Sequence, residues 1–198
     1  MLTLPEAQAA ILTRVRAADR AETVPLARAC GRFAARPLNA VVDNPAFDNS
    51  AMDGYALNSR DLATQAGVLP VLGESSCGSV PQVLTPGTAM RIFTGAPVPA
   101  GADTVVMQED VVRDGERARF PQDTRAGDQV RRRGEDFRAG EPLYAPGRRL
   151  TAYDLALLSA AGIAEVSVYA RPRALVVATG DELVAPGQPL RPGQIYES

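Results

Sequence analysis

The pattern of apolar and polar residues predicts helices near the start of the chain. Residues 3–6 read Thr-Leu-Pro-Glu, which is a capping box at the beginning of a helix. Apolar residues then recur at helical spacing, so we predict a helix that ends near Ala18. A second helical stretch is predicted over residues 26–35, and Pro37 marks its end because proline cannot continue a helix.

Helical patterning returns near residue 151. Thr151 is a typical N-cap residue, and Asp154 lies three positions later. The apolar residues that follow continue the helix, and Gly162 lies where a C-terminal cap is expected. Residues 165–169 alternate polar and apolar side chains, so we predict a strand there.

The middle of the chain has a different pattern, with short apolar runs separated by turns rich in glycine and proline. Strands are predicted at residues 68–72, 89–93 and 104–108. Asp114-Gly115 between two further apolar runs indicates a hairpin. The sequence therefore predicts an α+β fold in which a compact β-rich domain interrupts a domain that contains helices.

A last apolar run follows Arg171-Pro172. The uninterrupted residues 175–177 predict a buried parallel strand, and polar residues 179–182 follow it at the edge where open α/β sheets bind ligands. The sequence stops at Ser198, one strand into what should be a complete α/β domain. A lone strand cannot build a sheet, so we expect residues 171–198 to be the truncated start of such a domain.

Four polar segments carry the candidate chemistry. The first, FDNSAMDGYA at residues 47–56, concentrates acids, an amide, a hydroxyl and a glycine where a strand begins. The others are FTGAPVPAGAD at residues 93–103, RRRGEDFRAG at 131–140 and ATGDEL at 178–183. Short polar side chains held at the end of a rigid element are common in binding sites.

Composition limits the chemistry that these segments can perform. The chain has 198 residues, a net charge of −2, two cysteines and no histidine. The absence of histidine excludes Ser-His-Asp catalysis and histidine-ligated zinc. Any chemistry must therefore be performed by carboxylates, hydroxyls, arginines or a cation bound through oxygen ligands. The weak net charge disfavours nucleic-acid binding. We also expect no disulfide, no signal peptide and no membrane span, and therefore a cytoplasmic protein.

Together and in this order, the four segments resemble those of the molybdopterin molybdenumtransferases, which insert molybdate into molybdopterin. The first two segments are highly specific to that family, and the resemblance extends from about residue 3 to the last residue. It implies an elongated first domain formed by residues 1–47 and 134–170, with an inserted β-rich domain at 48–133. Residues 171–198 would begin an α/β, molybdopterin-binding domain, which makes the fold multi-domain.

The resemblance also implies substrates, cofactor and partners. The substrates would be adenylylated molybdopterin and molybdate, with Mg²⁺ as cofactor and AMP as a product. Family members are homodimers whose sites draw on two subunits, and the molybdopterin adenylyltransferase is a further candidate partner. Because the substrates are anions, a divalent cation is needed to bridge them to carboxylates that would otherwise repel them.

The residues that match the family's functional positions are few. Catalytic roles fall to Asp53, Thr94, Asp136 and Glu182. Substrate-binding roles fall to Ser50, Gly95, Arg133 and Gly180, and metal binding falls to Asp181 and Glu182. Each has a simpler alternative, since most loop aspartates only cap turns. Arginines and acids such as those of residues 131–136 commonly form surface ion pairs.

Two other functions stay open at this point. The first is a non-enzymatic scaffold or molybdopterin-binding module, because some relatives also act as clustering proteins. The second is a phosphate-binding accessory module unrelated to molybdenum. Molybdate transfer by the full-length protein distinguishes an enzyme from both of these alternatives.

Overall fold

The computed structural model describes residues 2–16 and 19–197, which fall into two compact units. The smaller unit combines residues 1–21 with 169–198, and the larger unit spans Glu22–Val168. Both helices and sheets are present, and the principal sheet is six-stranded. None of the helices in the described part of the chain has the length and apolar character that crossing a membrane requires.

A curled sheet of six strands forms the centre of the larger unit. In spatial order the strands are β7 (Thr104–Met107), β4 (Gly54–Leu57), β6 (Ala89–Ile92), β5 (Val68–Ser75), β9 (Arg117–Arg119) and β8 (Val112–Asp114). Neighbouring strands are antiparallel except for β5 and β6, which are parallel. The short helix α2 (Ser59–Thr64) follows β4. The predicted strands and the Asp-Gly hairpin of this region are confirmed.

Short strands and one helix complete the larger unit. The antiparallel pairs are β3 (Asn49–Ser50) with β10 (Val130–Arg131), and β2 (Leu38–Asn39) with β11 (Pro142–Tyr144). Helix α3 (Ala152–Ala160) begins with the predicted capping box at Thr151, and Gly162 has the positive φ of a C-terminal cap. Strand β12 occupies Glu165–Tyr169 as predicted and pairs with β1 (Ala21–Pro25).

Apolar side chains form separate clusters within the larger unit. Two clusters draw only on residues 55–130, around Leu57 and Ile92. The other two draw only on residues 24–40 and 137–168, around Leu158 and Phe137. The β-rich segment therefore has its own core, distinct from the core formed by the residues before and after it.

The prediction of a second helix over residues 26–35 is wrong. Only a 3₁₀ turn forms there, at Leu26–Arg28. Beyond it, the Ala34 N–H donates to the Arg148 carbonyl and the Ala35 N–H donates to the Ser167 carbonyl. These extended pairings with distant residues satisfy the backbone better than a helix interrupted by glycine would.

The first helix is shorter than the sequence predicts. Helix α1 spans Leu4–Leu12 with the expected capping box, in which Glu6 accepts hydrogen bonds from the Thr3 N–H and hydroxyl. None of its side chains is buried. A short helix without tertiary packing is only marginally stable, which explains its early end. The predicted end near Ala18 falls outside the described residues.

The strand predicted at residues 175–177 does not form. Leu175, Val176 and Val177 are 88%, 91% and 67% exposed and have no regular structure. A strand exists only through pairing with a neighbour, and no described residue pairs with this segment. The next regular structure along the chain is a small parallel pair, β13 (Leu183–Val184) with β14 (Ile195–Tyr196).

We predict that trypsin cleaves the native chain after Arg173 earlier than after any arginine of the six-stranded sheet. Residues 171–180 have no regular structure, and proteases cut exposed, unpaired backbone first. Mass spectrometry of a digestion time course identifies the first product. Earlier cleavage after Arg117, whose backbone pairs with β5, would contradict this prediction.

Candidate functional site

Two of the predicted catalytic residues, Asp53 and Thr94, are in direct contact. Asp53 precedes β4 and Thr94 follows β6, and these antiparallel strands pair Gly54 with Ile92. The Thr94 N–H and the Thr94 hydroxyl both donate to Asp53 Oδ1, at 2.8 Å each. No described residue donates to Asp53 Oδ2, so this oxygen is available as an acceptor.

The environment of Asp53 favours its ionised form. The backbone N–H of Thr94 has the largest effect in lowering the pKa of this carboxyl, followed by the Thr94 hydroxyl. The positive charge of Arg91 lowers the pKa further. Asp53 is therefore a carboxylate at neutral pH, and it orients the Thr94 hydroxyl so that the oxygen's lone pairs remain free to accept.

Ser50 and Gly95 shape the turn around this pair. The Ser50 side chain is buried, and its hydroxyl donates to the Met52 carbonyl at 2.6 Å. The Gly95 N–H donates to the Ser50 carbonyl at 2.8 Å. Gly95 has a φ of +81°, a conformation that favours glycine. Both residues thus have an evident local role, and their assignment to substrate binding stays a prediction.

Asp136 lies in a second part of the site, beside the arginine run. Its carboxylate accepts a hydrogen bond from Arg131 at 2.6 Å, and Arg131 also lies 3.8 Å from Glu135. The Asp136 N–H donates to the Asn44 carbonyl at 2.9 Å. The surface ion pair that the sequence left open therefore forms, and a catalytic role for Asp136 stays a prediction.

The other two arginines of the run pair with acids that sequence reasoning gave no role. Asp48 accepts from the Arg133 N–H at 2.8 Å and from the Arg132 guanidinium at 2.6 Å. The Arg133 guanidinium bonds to Asp43. These contacts lower the pKa of both carboxyls; the largest effects are the backbone N–H groups of Arg133 on Asp48 and of Ala139 on Asp43. This bond uses Nε of Arg133, so the Nη1 and Nη2 donors of the exposed side chain remain available to an anion.

The first polar segment holds the second and third together. Strand β3 lies inside it and pairs with β10, which places Asn49 opposite Arg131. The same segment bonds to the second one through Asp53, and the Val98 N–H donates to the Asp48 carbonyl. The buried Asn49 Oδ1 has no hydrogen-bond partner among the described residues. Residues 47–56 therefore organise this candidate site.

The remaining predicted residues belong to the smaller unit. The Leu183 N–H donates to the Gly180 carbonyl at 3.1 Å, and the Ile195 N–H donates to the Glu182 carbonyl at 2.8 Å. Within the described part of the chain, the carboxylates of Asp181 and Glu182 make neither a hydrogen bond nor an ion pair. Both residues are exposed, so their carboxylates are available to an external ligand.

Comparison with known families identifies the family of the chain. Residues 2–162 match the family model described as MoeA N-terminal region (domain I and II). The chain belongs to the MoeA N-terminal family. That match covers all three polar segments of the larger unit, and the prediction made from them is confirmed.

Curated relatives and solved structures lead to the same family. The chain is 43% identical over 182 residues to the molybdopterin molybdenumtransferase of a Nostoc species, covering 89% of this chain and 42% of the relative. It is 40% identical over 201 residues to that of Haemophilus influenzae, covering 100% of this chain and 49% of the relative. A crystal structure of the Pyrococcus horikoshii OT3 MoeA protein superposes with a TM-score of 0.86 at 32% identity, over 98% of this chain and 53% of that one.

The chain thus spans about half the length of the curated MoeA relatives that it matches. Its mixed helix and sheet architecture matches the solved MoeA structures. The likeness includes the larger unit, where Asp53, Thr94 and Asp136 lie.

Sequence reasoning missed two further residues that lie beside Asp53 and Thr94 in this candidate site. The exposed Cys77 donates its thiol proton to the Thr94 carbonyl at 3.0 Å. Arg91 lies beside Asp53 and lowers its pKa. Neither stands in a polar segment, because each reaches the site from a different strand or loop. Cys77 and Arg91 could have been identified only from the register of β5, β6 and β4, which the sequence does not show.

Proposed function

We propose that this chain is part of a molybdopterin molybdenumtransferase that inserts molybdate into adenylylated molybdopterin and releases AMP. The observation that carries the proposal is that curated relatives 36–43% identical to the chain bear that enzyme's name. The contact between Asp53 and Thr94 supports it, since both residues match functional positions of the family.

In this proposal, Asp53 and Thr94 act on the phosphoanhydride of the adenylylated substrate. The ionised Asp53 uses Oδ2 to orient an attacking water and accept its proton, while Oδ1 holds the Thr94 hydroxyl. The Thr94 oxygen accepts a hydrogen bond from that water or from the substrate. The water oxygen forms a new bond to phosphorus as the bridging P–O bond breaks, which releases AMP and leaves molybdopterin with its own phosphate. The dithiolene of that molybdopterin receives the molybdenum.

We propose Mg²⁺ as the cofactor, bound through Asp181 and Glu182. The donor set suits the ion, because Mg²⁺ prefers oxygen ligands and commonly uses only one or two carboxylates together with substrate phosphates. Among the described residues, no cluster of three or more acids, cysteines or histidines could hold a metal by itself. When bound, Mg²⁺ would neutralise charge on the substrate phosphates.

Removal of Mg²⁺ from the full-length protein is expected to abolish transfer, and its return should restore it. Glu182→Gln should raise the Mg²⁺ concentration for half-maximal transfer roughly tenfold, because a ligand charge is lost. The matched control is Glu197→Gln, an exposed acid of the same unit. An equal shift in both variants, or transfer without any divalent cation, would exclude this role for Glu182.

We also propose the domain division that the family resemblance implies: residues 1–47 with 134–170, residues 48–133, and residues 171–198. The separation of apolar clusters supports the inserted middle domain, because clusters inside residues 55–130 share no member with the others. Expression of residues 48–133 alone tests the division, since an inserted domain with its own core should unfold cooperatively.

We further propose that the full-length protein is a cytoplasmic homodimer that acts with the molybdopterin adenylyltransferase. The two free cysteines, both exposed, suit a reducing compartment. Light scattering measures the subunit number. Co-purification from cells tests the partner, and fractionation of those cells tests the compartment.

The decisive experiment supplies the full-length protein with adenylylated molybdopterin and molybdate. The enzyme should release AMP and form molybdenum-loaded cofactor in equal amounts, which mass spectrometry detects. A scaffold or molybdopterin-binding module would bind the pterin without releasing AMP. A phosphate-binding module unrelated to molybdenum would bind inorganic phosphate and transfer nothing.

A further inference from the structure

Arg91 has contacts that a surface arginine of a sheet does not need. It lies on β6 directly opposite Tyr55 on β4, and its side chain is half-buried. The guanidinium carbon lies 5.1 Å from the centre of the Tyr55 ring and 4.9 Å from that of Phe93. Stacking on two aromatic rings fixes the plane of the guanidinium group and the directions of its N–H donors.

The guanidinium group of Arg91 bonds to two residues that are themselves attached to Asp53, one through the chain and one through a hydrogen bond. Nη1 donates to the Gly54 carbonyl at 3.1 Å, and Nη2 donates to the Gln108 side-chain carbonyl. The Gln108 N–H in turn donates to the Asp53 carbonyl at 3.0 Å. Gly54 directly follows Asp53, and Phe93 directly precedes Thr94. Arg91 therefore contacts a sequence neighbour of each member of the pair.

The acids nearest to Arg91 have other hydrogen-bond partners. Glu74, its register partner on β5, accepts a hydrogen bond from Ser76, and Glu109 accepts one from Gln108. Among the described residues, Arg91 makes no ion pair with either of these acids. Its charge instead lowers the pKa of Asp53, after the larger effect of Thr94.

We propose that Arg91 is a positioning residue, which holds the beginning of β4 and the end of β6 in the arrangement that brings Asp53 and Thr94 into contact. The role requires the forked guanidinium group, since one donor must reach Gly54 while another reaches Gln108. Its importance for catalysis rests on the proposed function, but the arrangement itself is measurable without molybdenum.

The test uses the 198-residue chain and nuclear magnetic resonance. In Arg91→Gln, the Thr94 amide should exchange its hydrogen roughly tenfold faster, because its bond to Asp53 forms less often. The pKa of Asp53, followed by its carboxyl carbon, should rise towards the ordinary value. Arg91→Lys should show the same faster exchange at Thr94, because one ammonium group cannot reach both acceptors.

The matched control is Arg117→Gln. Arg117 lies on β9 of the same sheet and donates to the Val68 carbonyl at 3.1 Å, but it does not contact the site. This variant should leave Thr94 exchange and the Asp53 pKa unchanged. The proposal fails if Arg91→Gln leaves Thr94 exchange unchanged.

It also fails if Arg91→Lys retains wild-type exchange, since the positive charge would then suffice. If Arg91→Gln does not fold, Thr94 exchange in Arg91→Lys alone tests the proposal. The inference stands or falls on Thr94 exchange, whereas the proposed function depends on AMP release, so the two can fail separately.

Discussion

Replacing Asp53 by asparagine in the full-length protein is expected to reduce molybdenum transfer by about two to four orders of magnitude. The amide lacks the negative charge that would accept a proton from water. Its Oδ1 can still accept hydrogen bonds from the Thr94 N–H and hydroxyl, so the turn should stay intact and the melting temperature should change little. Transfer is followed by AMP release, and thermal unfolding by circular dichroism.

Asp103→Asn is the matched control for that substitution. Asp103 also receives hydrogen bonds from a backbone N–H and a hydroxyl, those of Ser59, at 2.7 Å and 2.9 Å. It lies outside the pair formed by Asp53 and Thr94, so its variant should transfer molybdenum nearly as fast as wild type. Normal transfer with reduced stability in Asp53→Asn would instead make Asp53 a turn residue.

Asp154→Ala is expected to destabilise the chain by about 3 kcal/mol, which lowers the melting temperature by about 6–12 °C. Asp154 is only 3% exposed. It accepts from Arg148 at 2.7 Å and from the Thr151 N–H and hydroxyl at 2.8 Å and 2.9 Å. Its loss removes the capping box of α3 and leaves Arg148 without its acid. Urea unfolding measures the free energy.

The pH dependence of that loss follows from the pKa of Asp154. Arg148, with Tyr144 and Thr151, holds this pKa well below its usual range despite burial, which acts to raise it. A depressed folded-state pKa contributes stability above the unfolded-state pKa of about 3.9, and the contribution declines as pH falls below that value. The difference between wild type and Asp154→Ala should therefore be constant near neutral pH and shrink below about pH 4.

The control for Asp154 is Glu165→Ala, which removes an exposed carboxylate from the first position of β12. Its free energy of unfolding should stay within about 0.5 kcal/mol of wild type. A loss of similar size in both variants would mean that the network around Asp154 adds nothing beyond ordinary surface charge.

Local signals predicted much of this fold. The capping box at Thr151 and the Asp-Gly hairpin depend on residues close in sequence, so the sequence specifies them directly. The alternating pattern of residues 165–169 predicted strand β12 even though its partner β1 is distant in sequence. Residues 26–35 illustrate the limit, because their partners lie more than a hundred positions away in sequence. Residues 175–177 have the right composition for a strand but no neighbour to pair with.

The candidate site was predicted to a similar extent. The resemblance identified Asp53 and Thr94, and the register of β4 and β6 brings them together. The acids Asp43 and Asp48 were not assigned, because no sequence rule connects them to arginines 84 to 90 positions later. Arg91 was missed for the same reason, since its contacts depend on which strands become neighbours.

The double attachment of residues 47–56 has an evolutionary consequence. Surface loops ordinarily tolerate changes of length, because few side chains within them are bound to the rest of the fold. Here Asp48 is bound to Arg132 and Arg133, and five positions later Asp53 is bound to Thr94. A single inserted residue between them would shift one attachment out of reach. We therefore expect relatives to differ in this part of the molecule by exchanges of side chains at constant spacing.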